Sequence, residues 1–96
     1  MVWAKERTIT LDVQGEELKV VYSLPLPEEW EEALPLLEGK VPKWTALCRK
    51  FVTKVEGLGL DKPDQLFTCP TASGIILAIG SDILAHASLE ATLKNA

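Results

Sequence analysis

Two runs of alternating apolar and polar residues open the chain. Ile9, Leu11 and Val13 alternate with Thr8, Thr10 and Asp12. Beyond Gln14-Gly15, Leu18, Val20 and Tyr22 alternate with Glu17 and Lys19. Period-two alternation on both sides of a glycine-containing break predicts a β-hairpin over residues 7–23. A two-residue turn at Gln14-Gly15 would set Leu11 opposite Leu18 and Ile9 opposite Val20. A four-residue loop would pair Leu11 with Val20 and Ile9 with Tyr22. Both registers keep the apolar residues on one face, whereas a three-residue loop would not. A lone hairpin is marginal in water, so this face requires a helix or further strands to cover it.

After the hairpin the period changes. Pro25 and Pro27 end the second strand, and Pro27 suits the first position of a helix over about 27–37. Glu28, Glu29, Glu31 and Glu32 sit where the positive end of the helix dipole favours them. Leu26, Trp30 and Leu34 mark the apolar side, and Pro35 should end or kink the helix. The clearest helical pattern spans about 42–56, where Trp44, Leu47, Cys48, Phe51, Val52 and Val55 recur at spacings of three and one. That is a single stripe at helical period, closed by Gly57 and Gly59. Residues 61–70, punctuated by Pro63 and Pro70, read as a loop or short turn. The last segment, about 72–94, admits two readings. One is a buried strand over 74–79 followed by a helix capped by Ser81. The other, which we prefer, is one helix through Gly80, with Ile76, Ile79, Ile83 and Ala87 on one face. Gly80 costs about 1 kcal/mol inside a helix, and a tight helix–helix contact would offset that.

These elements predict an α+β fold: an N-terminal β-hairpin packed against two or three α-helices in one small domain, residues 1–96. Composition agrees, since 47% of the 96 residues are hydrophobic and 25% charged, as in ordinary globular chains. The net charge of −4 argues against nucleic acid as the main partner. Met1 to Arg7 lacks the apolar stretch of a signal peptide. The apolar segment around Ile75–Ile79 spans a bilayer only if Asp82 and His86 enter lipid. The expectation is a cytoplasmic protein with no membrane partner and two reduced thiols, although pairing of Cys48 with Cys69 stays open.

Candidate chemistry is sparse. Asp82 and His86, four apart, would share a helix face. They could serve as an acid–base pair or half a metal site, but a metal site needs more ligands and the chain has one histidine. The preferred reading is a partly exposed pair that caps a neighbouring element. Cys48 lies within an apolar stripe and reads as a buried structural thiol; Cys69 reads as exposed. The glycines form no phosphate loop. No catalytic residue, metal or cofactor is therefore assigned. Charge is segregated: Glu28–Gly39 carries five acids and no base, and Lys40–Glu56 five bases and one acid. This suits either two solvated helices that attract one another, or a dipolar surface that grips a partner. Trp44 reads as core. Trp3 and Trp30 suit either an interface or a lid on the core.

The order of elements resembles a group of small phage proteins. The hairpin Thr8-Ile9-Thr10-Leu11-Asp12-Val13 with Glu17 to Tyr22 opens the chain, and a helix ending Phe51-Val52-Thr53-Lys54-Val55-Glu56-Gly57-Leu58 follows. Then come Asp61-Lys62-Pro63-Asp64-Gln65-Leu66-Phe67, a terminal helix and Leu93-Lys94-Asn95. This pattern of element types is similar to that of the tail assembly chaperones of long-tailed phages. The resemblance implies a non-enzymatic role in the host cytoplasm, with self-association and a protein partner, the long apolar tape-measure protein. The partner surface expected from the residues combines Trp30, Glu28, Glu29 and Glu32 with Ile83, Leu89 and Leu93 of the terminal helix. A second expectation is a small acidic inhibitor, such as a phage anti-defence protein, that occupies a basic site through Glu28–Glu32. A third is a small enzyme using Asp82 and His86.

Overall fold

A computed structural model describes residues 4–87. The chain forms β1 (Glu6–Val13), β2 (Glu16–Ser23), α1 (Pro27–Leu37), α2 (Trp44–Phe51), β3 (Val52–Glu56), α3 (Pro63–Phe67) and α4 (Ser73–Ala87). The three strands make one antiparallel sheet in the order β1-β2-β3, and the helices complete an α+β fold.

The hairpin takes the two-residue turn. Leu11 faces Leu18 and Ile9 faces Val20. Gln14 and Gly15 both adopt positive φ, 54° and 87°, the backbone that matches the right-handed twist of a tight hairpin. Asp12 Oδ1 accepts from the Gly15 N–H at 2.9 Å and secures the turn.

The helix expected over 42–56 is corrected. Only Trp44–Phe51 is helical, and Val52–Glu56 is the third strand of the sheet. The stripe misled because Val52 and Val55 are three apart yet both face the core. A β-bulge explains this: Val20 pairs with Val55 and Val21 with Lys54, but Tyr22 pairs with Val52, leaving Thr53 unpaired in the register. One extra residue resets the alternation, so a spacing typical of a helix is met by an extended chain. Thr53 Oγ donates to the Val21 carbonyl across the irregularity, at 3.2 Å. Val52, Thr53 and Val55 are β-branched, which favours the strand.

Helix α4 runs uninterrupted through Gly80, as preferred from the sequence. Gly80 meets the Trp44 ring of α2 so closely that a Cβ would lie 2.5 Å from Trp44 Cε3. The missing side chain is what lets the two helices approach. α1 passes through Pro35, which has no N–H to give the Glu31 carbonyl, and ends two residues later at Leu37. The 61–70 segment contains one helical turn, α3, whose Leu66 is fully buried. The core unites Leu18, Val20 and Tyr22 of β2, Leu47, Cys48 and Phe51 of α2, Val52 and Val55 of β3, and Ile76, Ile79 and Ile83 of α4. Among the described residues no helix is long and apolar enough to cross a membrane.

Candidate functional site

The α1 surface is built by its sequence. Pro27 starts the helix, and the Glu29 side chain reaches back to accept from the Leu26 N–H at 2.9 Å. This fixes the entry of the chain. Ala33 is fully buried and Leu37 packs against the core. The Leu26–Trp30–Leu34 stripe, at spacing four, is only partly covered. Trp30 is half-buried against the core, while Leu26 is 65% and Leu34 37% exposed. Glu28, Glu29, Glu31 and Glu32 are all exposed around it, and Val41, in the next loop, is 77% exposed. The structure therefore brings Trp30, Glu28, Glu29 and Glu32 together on one solvent-facing element. Among the described residues no ion pair joins the acidic α1 to the basic α2.

Ile83 does not belong to such a surface. It is fully buried in the core, because the α4 face carrying Ile76, Ile79 and Ile83 is the one that packs inward. Leu89, Leu93, Trp3 and the helix expected beyond Ala87 lie outside the described residues.

Asp82 and His86 share a face of α4, but Asp82 looks to the sheet. Its Oδ2 accepts from Arg7 Nε at 2.7 Å and from the Tyr22 hydroxyl at 2.6 Å, and its Oδ1 from Arg7 Nη2 at 3.2 Å. His86 Nδ1 lies 2.9 Å from the Asp82 carbonyl and 3.6 Å from Oδ2. The first contact places the ring proton on Nδ1, donating to the carbonyl. The hydrogen bond from Arg7 holds the Asp82 carboxyl below its usual range, against the opposing effect of partial burial. Burial, followed by the bond to Asp82, pushes the Tyr22 phenol well above its ordinary value. At neutral pH the cluster thus holds a carboxylate and a neutral phenol, pinning α4 to β1 and β2. Arg7 and Tyr22 were not singled out from the sequence. The signal for Arg7 was present: it is a charged residue in phase with Ile9, Leu11 and Val13, so the hairpin pattern already turned it inward.

The thiols differ as their neighbours dictate. Cys48 is fully buried, and its Sγ donates to the Ile76 carbonyl at 3.5 Å. Desolvation pushes its pKa up to about 12. Cys69 is exposed, and both are free thiols. Among the described residues no group of three or more His, Cys, Asp or Glu side chains converges to hold a metal ion.

No protein-family model, no curated protein and no solved structure matches this chain.

Proposed function

We propose that this chain is a non-enzymatic binding protein of the assembly or chaperone type, which holds an apolar helical segment of a partner protein against α1. The observation that carries the reading is the Leu26–Trp30–Leu34 stripe. It is apolar, partly uncovered and bordered by four exposed glutamates. An amphipathic helix with a leucine stripe and flanking lysines complements it in both shape and charge. A phage tail assembly chaperone acting on a tape-measure-like partner is the finer form of this proposal, resting on the resemblance in element order. It entails self-association in the cytoplasm.

The test is titration of the full chain with a synthetic amphipathic helix bearing leucines bordered by lysines, followed by tryptophan fluorescence and calorimetry. Binding that weakens about tenfold or more in Leu26→Ser and Leu34→Ser, with the fold intact, supports the reading. Equal binding by these variants sinks it. The exposed glutamates also favour a second reading, an acidic inhibitor of a basic site. That predicts binding to a lysine-rich surface without leucines, with an association rate that collapses as salt rises. Light scattering after size exclusion separates the two: growth with protein concentration favours the assembly role, and a strict monomer favours the inhibitor.

A further inference from the structure

The sheet has two edges of unequal length: β1 offers eight residues and β3 five. Val13 and Glu16 close a two-residue hairpin, so their backbone groups face one another, and so do those of every second residue back along β1. The Leu24 N–H donating to the Lys5 carbonyl at 2.9 Å keeps that phase to the start of the strand. The N–H and C=O groups of Glu6, Thr8, Thr10 and Asp12 therefore point away from β2, along the outer edge. Among the described residues no strand pairs with them.

Helix α4 lies beside this edge. At one end Arg7 of β1 binds Asp82 of α4. At the other, Leu11 and Val13 face Ile75 and Ala78 across a groove of about 510 Å³. The helix thus runs opposite to β1, with an apolar seam left between them. Ile9, Leu11 and Val13 remain only half-buried along it. The three non-glycine residues with positive φ among those described, Gln14, Leu58 and Thr71, all line this groove. The hairpin turn accounts for Gln14. Thr71, β-branched and at φ 63°, accepts a conformation that costs free energy, and such residues cluster at ligand clamps.

We propose that the β1 edge and the β1–α4 groove capture an extended segment of a partner protein as a fourth strand. An open edge beside a helix, with an apolar groove between, is the geometry used for recognition by strand addition. Backbone bonds to Thr8 and Thr10 hold the segment, and one of its apolar side chains sits between Leu11 and Ile75. Its flanks are basic, because Glu6 and Asp12 bracket the two threonines on the solvent face of β1. Its centre is uncharged, because Lys19 of β2 lies opposite Thr10 and Lys54 of β3 lines the same face beside Thr8. Glu6 and Asp12 also disfavour a second copy. Outward-facing residues pair only with outward-facing residues, so full antiparallel overlap of two β1 strands sets Glu6 against Asp12 of the copy at both ends, and like charges directly opposite destabilise a pair. This surface is separate from α1, and its test stands apart from that of the binding function proposed above.

The experiment titrates isotope-labelled full chain with the acetylated peptide Lys-Val-Thr-Val-Thr-Val-Lys and follows backbone amides. The expected result is chemical-shift change and slower hydrogen exchange at Thr8 and Thr10. Thr10→Pro removes one outward donor at a position where an edge strand tolerates proline. Ala78→Phe fills the groove without touching the strand. Each variant, with its fold verified by circular dichroism, should bind at least about tenfold more weakly, and Leu34→Ser in α1 should bind as the parent does. Wild-type affinity in Ala78→Phe overturns the proposal, as does a peptide response confined to α1 or absent altogether. Concentration-dependent protection of β1 amides without peptide also overturns it, in favour of a second copy.

Discussion

Leu11 and Leu18 are the same residue type, sit directly opposite each other in one hairpin and face the same side of the sheet. Leu18 is fully buried, as are Val20 and Tyr22 beside it on β2, whereas Leu11, like Ile9 and Val13, is only half covered. The two strands carry equal alternation, so the difference does not come from pattern. β2 has a hydrogen-bonded strand on each side and β1 on one. An edge strand leaves its apolar face open along the outer flank unless a helix closes it, and α4 closes it only at Arg7. Place in the sheet decides how much each apolar side chain gains from folding.

The comparison is broken most directly by truncating both leucines. Leu18→Ala should cost about 3–4 kcal/mol, within the range for buried leucines, while Leu11→Ala should cost about 1 kcal/mol for a half-buried site. Urea unfolding measures both, and equal costs would refute the contrast. Gly80→Ala comes next, because it tests what holds α4 to α2 rather than to β1. Overpacking against Trp44 costs about 1–3 kcal/mol, offset by about 1 kcal/mol of helix propensity. The net loss is expected at about 1 kcal/mol, with an altered tryptophan emission; a stabilised variant would show that Trp44 yields freely.

A smaller effect sharpens the contact between α4 and β1. Asp82 ionises more readily in the folded chain than in the unfolded one, so the unfolded state takes up the extra proton as acid is added. The stability this provides is complete above the ordinary aspartate value of about 3.9 and is lost as pH falls below it. Melting temperature should therefore drop more steeply below that pH in the parent than in Asp82→Asn. Parallel profiles would remove Asp82 from the acid response. The mildest probe is chemical. Cys69 should react with a thiol reagent in the native protein, and Cys48 only at the rate of unfolding. Fast modification of both would mean that the α2–α4 interface opens readily.

The amino-acid sequence alone determined the hairpin, because both alternating runs and the break between them lie within seventeen neighbouring residues, but it left two registers open, and the structure takes the two-residue turn. It determined the inward stripe of α2, the start of α1 at Pro27 and the burial of Cys48 for the same reason: each is a local periodic signal. It also marked the acidic, Trp30-bearing α1 as a surface, since four glutamates around one short stripe have nowhere to go but solvent. Tertiary structure alone decided the rest. Val52–Glu56 is a strand because the open flank of β2 supplies a ladder of bonds, and a bulge at Thr53 brings Val52 and Val55 to the core; no helical period records that. Ile83 is core rather than interface because the face of α4 that α2 covers depends on how closely Gly80 meets Trp44. Asp82 serves as a pin because Arg7 and Tyr22, seventy-five and sixty residues away, arrive beside it only when the sheet closes. Long-range pairing is chosen by global packing, and a local pattern carries no information about a partner it has not yet met.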